Sequence, residues 1–249
     1  MLLVIDIGNS TSDFGVFENE NLITRFKIPT PRNKTADEIA GSINKGIPSH
    51  FSAVIISSVV PESNESFQKL SEKVFGLKPV FVDYTFDFNL KIKYNPPSEL
   101  GIDRLIVAFA AVEKYGKPCI VCDFGTATTI DAVNKQGEYL GGAIAPGMSI
   151  FADALFQKTT KLPKVEIRKP ETVIGNSTVG SMQSGIYFGY IGLTDGIIQR
   201  MIEELREKPK IIATGGLAGI IAESSELIEV VDETLMLEGL RLIYEKKKH

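Results

Sequence analysis

Val4-Ile5-Asp6-Ile7-Gly8-Asn9-Ser10-Thr11 is the stretch whose reading decides the fold. Leu2 to Ile7 is an apolar run cut by one acid, and it reads as a buried strand that carries a carboxylate to its end and then turns at a glycine. A second strand follows around Asp13 to Phe17. Asn19-Glu20-Asn21 turns the chain again, into a third strand from Leu22 to Ile28. The same order returns further on. Cys119 to Asp123 reads as a strand, Gly125-Thr126-Ala127 as a turn and Thr128 to Val133 as a strand. Lys135-Gln136-Gly137 then turns into Tyr139 to Ile144. Aligned without gaps, Asp6 falls on Asp123, Gly8 on Gly125, Thr11 on Thr128, Ser12 on Thr129 and Val16 on Val133. So long a period is no solenoid unit. It predicts a duplicated α/β domain with its boundary near Gly116, that is, domains 1–115 and 116–249.

Around the repeats the pattern alternates helix and strand. Thr35 to Ile47 carries Ile39, Ile43 and Ile47 four apart, with Thr35 and Glu38 placed as a capping box. Ser52 to Ser58 and Pro79 to Val82 read as strands, with a helix from Glu62 to Phe75 between them. Further helices are predicted from about Gly101 to Tyr115, near 148–158 and near 177–206. Lys210 to Ala213 is a strand, Thr214-Gly215-Gly216 a turn, and a helix opens at Leu217. An amphipathic helix runs from about Glu233 to Lys247.

Composition narrows the chemistry. The 249 residues are 43% hydrophobic and 23% charged, a globular balance with room for two domains. The net charge of −4 gives no electrostatic reason to coat nucleic acid, and Lys246-Lys247-Lys248 reads as a solvated helix end. Two histidines, His50 and His249, lie outside any motif, which argues against Ser-His-Asp machinery and a His-ligated zinc. Cys119 and Cys122 are spaced C-x-x-C but fall within a strand, so they point to opposite faces and read as inert buried thiols. Few cysteines suit a cytoplasmic home. The start carries no secretory signal pattern, and no apolar run approaches the ~20 residues of a membrane span.

The turns carry the chemistry. The amides of residues 8 to 11, with the Ser10 and Thr11 hydroxyls, can form a concave donor set for phosphate oxygens. Asp6 nearby can hold Mg²⁺ directly or through water. Two such turns facing each other would grip a nucleoside triphosphate from both sides. One such turn alone reads first as an ordinary hairpin with an Asx-type turn; two copies and a third turn shift the reading. At Gly215-Gly216 a bare backbone opening a helix lets a flat ring or a sugar approach. Neither G-x-x-x-x-G-K-[ST] nor G-x-G-x-x-G occurs.

Taken together, these turns resemble the phosphate and adenosine motifs of the acetate/sugar kinase, heat-shock chaperone and actin superfamily. Within it the chain resembles the type III pantothenate kinase family over essentially its whole length. The narrower motifs are Tyr94-Asn95-Pro96-Pro97, Leu100-Gly101-Ile102-Asp103-Arg104, Asp123-Phe124-Gly125-Thr126-Ala127-Thr128-Thr129, Gly141-Gly142-Ala143-Ile144-Ala145-Pro146-Gly147, Leu162-Pro163 and Gly175-Asn176-Ser177-Thr178.

The resemblance implies two RNase H-like, actin-like domains with a nucleotide cleft between them. It also implies transfer of phosphate from ATP to pantothenate, the first step toward coenzyme A. Carried over, Asp6, Ile7, Gly8, Asn9, Ser10, Thr11, Ser12 and Asp13 form the first phosphate loop. Thr126 is a second nucleotide contact, and Gly215 and Gly216 serve the adenosine. Tyr94, Gly101, Ile102, Asp103, Arg104 and Thr178 would bind pantothenate, with Asp103 as the catalytic base. Asp123 would lie at an activating monovalent cation, K⁺ or NH₄⁺, and Mg²⁺ arrives with ATP. Arg104 offers a planar donor fork suited to a carboxylate. A helix N-terminus keeps Asp103 ionised, which phosphoryl transfer tolerates because it depends on alignment and charge stabilisation. From the residues alone, Asp103 reads equally as a helix cap paired with Arg104.

Gly185, Gly189, Gly192 and Gly196 fall on one narrow arc of the 177–206 helix, flanked by Tyr187, Phe188 and Tyr190. Glycine disfavours a helix, so this arc predicts close approach of another backbone. That approach is either tight packing within the second domain or a homodimer seam, which the family's dimeric habit supports. A nucleotide-binding regulatory protein, a transcription accessory factor of the same fold, is the alternative function. A kinase of another small alcohol or carboxylate is a further one.

Overall fold

The computed structural model describes residues 1–43, 48 and 50–247. Its elements run β1 (Leu2–Ile7), β2 (Thr11–Glu18), β3 (Asn21–Pro29), α1 (Ala36–Ile43), β4 (Ala53–Ser58), α2 (Pro61–Leu70), β5 (Val80–Phe81), β6 (Lys91–Ile92) and α3 (Ile102–Tyr115). Then follow β7 (Cys119–Phe124), β8 (Ala127–Val133), β9 (Glu138–Pro146), α4 (Met148–Lys158) and α5 (Thr178–Leu205). The chain closes with β10 (Lys210–Thr214), α6 (Ala218–Ala222), β11 (Val230–Val231) and α7 (Leu235–Lys247). The predicted end of the first helix, Ile47, lies outside the described residues, as do Lys248 of the basic tail and His249. The capping box forms: the Thr35 amide and hydroxyl both donate to Glu38 Oε2 at 2.8 Å.

These elements build two compact units. One comprises Met1–Asn89, Ser98–Ala110 and the chain from Leu235 onward; the other comprises Leu90–Pro97 and Ala111–Thr234. The division is therefore not a single cut near Gly116. Lys91 and Ile92 pair with Glu138 and Tyr139 of β9, which ties their segment to the second unit. The last helix belongs with the first unit, because Leu237 packs against Gly15 of β2 and Gly239 against Ile106 of α3.

In the first unit the strand order is β3-β2-β1-β4-β5, with β1 antiparallel to β2 and parallel to β4. Period-two alternation sends Leu3, Ile5 and Ile7 of β1, with Val54 and Ile56 of β4, against Ile39 and Ile43 of α1 and Phe67 and Leu70 of α2. The opposite face meets α7. The second sheet runs β11-β10-β7-β8-β9-β6. Apart from the added β6, it repeats the first: third, second, first, fourth and fifth strands in the same order. Its core joins Ile120, Cys122, Phe124 and Ile130 to Met182, Tyr187 and Tyr190 of α5 and Ile221 of α6.

The duplication holds, but the gapless alignment does not. Ile7 pairs with Ser12 across the first hairpin, and Phe124 with Thr128 across the second. The second turn is one residue shorter, so Thr128 is the counterpart of Ser12, and Val133 that of Phe17. Bulges fall between Val16 and Phe17 and between Ala132 and Val133, in agreement with that shift. The Lys135–Gly137 turn restores the lost residue, which returns β3 and β9 to the gapless register.

Candidate active site

The first turn links β1 to β2. The Gly8 amide donates to the Thr11 carbonyl at 3.1 Å, and a Cβ on Gly8 would stand 3.0 Å from that oxygen. Asn9, Ser10 and Thr11 are exposed at the tip of the turn. The side chains next to them in the predicted loop are turned inward or paired. The side chains of Ile7 and Ser12 are fully buried. Asp13 is held by Arg25, Nη2 to Oδ2 at 2.7 Å, and by Lys27 at 3.4 Å. Asp6 sits at the end of β1, in register with Asp13 and with Ser57 of β4. All three side chains therefore share one sheet face.

Also in the first unit, Gly101-Ile102-Asp103-Arg104 opens α3. Asp103 Oδ1 accepts the Arg104 amide at 2.8 Å. A Cβ on Gly101 would lie 2.4 Å from that oxygen, so a side chain there would displace the carboxylate from this position. Ile102 and Arg104 are buried. Tyr84 donates its hydroxyl to the carbonyl of Leu100, just ahead of this motif. Burial, and then the charge of Asp103, hold the Tyr84 phenol above its ordinary pKa.

In the second unit, the Gly125–Ala127 turn closes with the Gly125 amide on the Ala127 carbonyl at 3.2 Å, leaving Thr126 exposed. Gly147 lies on this turn: its amide donates to the Thr126 carbonyl at 3.1 Å, and a Cβ there would be 2.3 Å from that oxygen. Thr128 is buried and hydrogen-bonded to the Tyr190 hydroxyl, which ties α5 to the hairpin. Asp123 and the Gly215 turn come together, since a Cβ on Gly215 would meet Asp123 Oδ1. Gly216 is exposed beside it.

Tyr94 is half-buried, and a Cβ on Gly141 would come within 3.2 Å of its ring. Behind it, the buried Tyr139 donates to Asp131 Oδ1 at 2.6 Å. Thr178 is the first residue of α5, which Ser177 caps by accepting the Gly180 amide at 3.1 Å. A groove of about 670 Å³ runs beside it, lined by Leu155, Leu162, Asn176, Thr178 and Met182. On the glycine arc, a Cβ at Gly185, Gly189 or Gly192 would meet nothing within 4 Å. Among the described residues, these three positions of the arc therefore pack against no other element, while a Cβ on Gly196 would lie 3.3 Å from Arg200 Nη1 of the same helix.

The local motifs do not reveal the supports of the first turn. Thr30 donates to the Gly8 carbonyl at 2.5 Å, and Arg32 to Asn9 Oδ1 at 3.1 Å. Both belong to a segment about twenty residues away, and no spacing rule links them to the turn.

Two copies of one five-strand order, each opening on an Asp-x-Gly hairpin turn, define a duplicated actin-like fold. Solved structures show the same fold. A Campylobacter jejuni protein described as a Baf-family transcriptional activator matches with a TM-score of 0.64 at 21% identity, covering 99% of this chain and 98% of that one. The ethanolamine utilization protein EutJ from Carboxydothermus hydrogenoformans matches at 0.57 and 15%, covering 97% of this chain and 89% of that one. The family model for type III pantothenate kinase matches residues 2–200. A type III pantothenate kinase of Geotalea uraniireducens (strain Rf4) is 50% identical over 100% of this chain and 99% of its own length. One from Halalkalibacterium halodurans is 44% identical over 99% of each. The chain belongs to the type III pantothenate kinase family.

Proposed function

We propose that this chain phosphorylates pantothenate with ATP, giving 4'-phosphopantothenate at the entry to coenzyme A synthesis. Family membership over the full length is the observation that carries the reading. The exposed residues Asn9, Ser10 and Thr11, with the Ser10 and Thr11 hydroxyls, bind phosphate oxygens beside the turn that Gly8 makes, and Thr126 adds a second nucleotide contact. Gly215 and Gly216 take the adenosine. Ile7, Ser12 and Asp13 serve the turn by shaping it, since two of those side chains are in the core and the third is ion-paired.

Tyr94, the Gly101–Arg104 motif and Thr178 bind pantothenate. Asp103 aligns the attacking hydroxyl and accepts its proton as the bond to phosphorus forms. Such a transition state is loose, so an ionised carboxylate held by the Arg104 amide is basic enough. The alternative, a regulatory nucleotide-binding protein, rests on a likeness at 21% identity that carries fold alone.

The residues fit the metals of this reading. Mg²⁺ binds through one or two carboxylates plus substrate phosphates, and Asp6 at the turn suits that role. When bound, it neutralises charge developing on the phosphates. Asp123 Oδ1, bordered by the side-chain-free Gly125 and Gly215, offers one hard oxygen for K⁺ or NH₄⁺. A homodimer through α5 is part of the same proposal, supported by the unfilled arc at Gly185, Gly189 and Gly192. The buried free thiols Cys119 and Cys122 suit a cytoplasmic setting. Among the described residues, no helix is long and apolar enough to cross a membrane.

The test is ADP release from ATP with and without pantothenate, in K⁺, NH₄⁺ or Na⁺ buffers. Turnover that needs pantothenate and K⁺ or NH₄⁺ is expected. ATP binding without turnover in any of them would overturn the assignment.

A further inference from the structure

Thr30-Pro31-Arg32, directly after β3, is the outer support of the first turn. The Thr30 amide donates to the Ser10 carbonyl at 3.0 Å. Its hydroxyl donates to the Gly8 carbonyl at 2.5 Å, and its oxygen lies 3.2 Å from Ser12 Oγ. A threonine hydroxyl has one proton, so Ser12 is the donor in the second contact. Pro31 is buried and fixes the segment, while Arg32 is exposed on the rim. There its Nη2 donates to Asn9 Oδ1 at 3.1 Å, and its Nη1 lies 3.5 Å from Glu62 Oε1.

Charge makes this placement matter. Asp6 to Asp13 contains no Lys or Arg. The two cations nearest along the sheet, Arg25 and Lys27, are both bound to Asp13. Arg32 is the cation held at the tip of the turn. Its pair with Glu62 joins two half-exposed side chains across 3.5 Å, the kind of contact that contributes little. A triphosphate carries more charge than that carboxylate, and the guanidinium fork meets phosphate oxygens bidentately as it does a carboxylate.

We propose that Arg32 is a phosphate-binding residue, held at the turn by Asn9 and transferring from Glu62 to the phosphates of a bound nucleoside triphosphate. This rests on the reading that the first turn receives ATP. Thr30 is a positioning residue for the same contact, because it fixes the backbone that carries Asn9.

The experiment compares wild type with Arg32→Ala, Arg32→Lys and Glu62→Gln. Steady-state kinetics are run with ATP and pantothenate, and binding of ATP and AMP is followed by calorimetry. Arg32→Ala is expected to raise KM for ATP roughly tenfold and weaken ATP binding equally, the size of one charge-assisted contact. KM for pantothenate and affinity for AMP, which lacks the outer phosphates, stay near wild type. Arg32→Lys restores part of the loss, because it keeps the charge without the fork. Glu62→Gln removes the competitor and binds ATP at least as tightly as wild type. Unchanged ATP affinity in Arg32→Ala, or weakened ATP binding in Glu62→Gln, overturns the proposal while wild-type turnover keeps the kinase reading. Wild type that binds no ATP overturns both.

Discussion

Gly215 and Asp123 are fitted to one another: a Cβ on Gly215 would stand 2.5 Å from Asp123 Oδ1 and 2.7 Å from the Phe124 backbone. The glycine also has φ +90°, a region that side chains rarely adopt. Two motifs far apart in the chain thus meet at the ends of β7 and β10.

Gly215→Ala is therefore expected to destabilise the protein by about 1–3 kcal/mol and to weaken ATP binding. A methyl added at the neighbouring Gly216 would meet nothing within 4 Å, so Gly216→Ala is the control. Equal urea midpoints for the two variants would contradict the fit.

Asp103→Asn keeps the size of the side chain and an oxygen able to accept the Arg104 amide. The fold and ATP affinity should survive, while kcat falls by two orders of magnitude or more, within the range typical of losing an acid–base group, about 10²–10⁴. Near-normal kcat would leave Asp103 as a helix-terminus residue only.

Gly189→Leu places a large side chain on the open arc of α5. If the arc is a seam between copies, light scattering should show monomer, with the circular dichroism of the single chain unchanged. A stable dimer in this variant would rule the seam out.

Asp232 predicts a pH dependence. Its burial raises the carboxyl pKa, but hydrogen bonds from Lys114 (2.6 Å), Tyr115 and Thr234 outweigh this and leave it lowered. A carboxylate lowered in the folded state contributes stability above its unfolded pKa, near 3.9, and loses it as pH falls through the folded value. The stability gap between wild type and Asp232→Asn should be full at neutral pH and shrink below about pH 4. A gap independent of pH would show that the ion pair is not its source.

Cys119 and Cys122 should resist alkylation. Burial pushes the Cys119 thiol up to about 12, and burial with nearby carboxylates raises Cys122. Both should react with a maleimide only after unfolding. Labelling of the native protein at neutral pH would contradict this.

Much of the fold was legible because its signals are local. Apolar runs ending in Asp-x-Gly marked both β1 and β7, and Thr35 with Glu38 marked the start of α1. Two-residue strands such as β6 and β11 are too short to show a period. The one-residue difference between the two hairpins was masked, because the turn before β9 restores the count and a gapless alignment still looks continuous.

By itself, the sequence determined the duplicated strand–turn–strand plan and the family, since both rest on neighbouring residues. Only the tertiary structure decided what each site residue can do. Strand alternation buries Ile7 and Ser12, β3 brings Arg25 and Lys27 to Asp13, and its continuation brings Thr30 and Arg32 back to the turn. Those relations arise from cross-strand pairing, which joins residues that no local spacing connects.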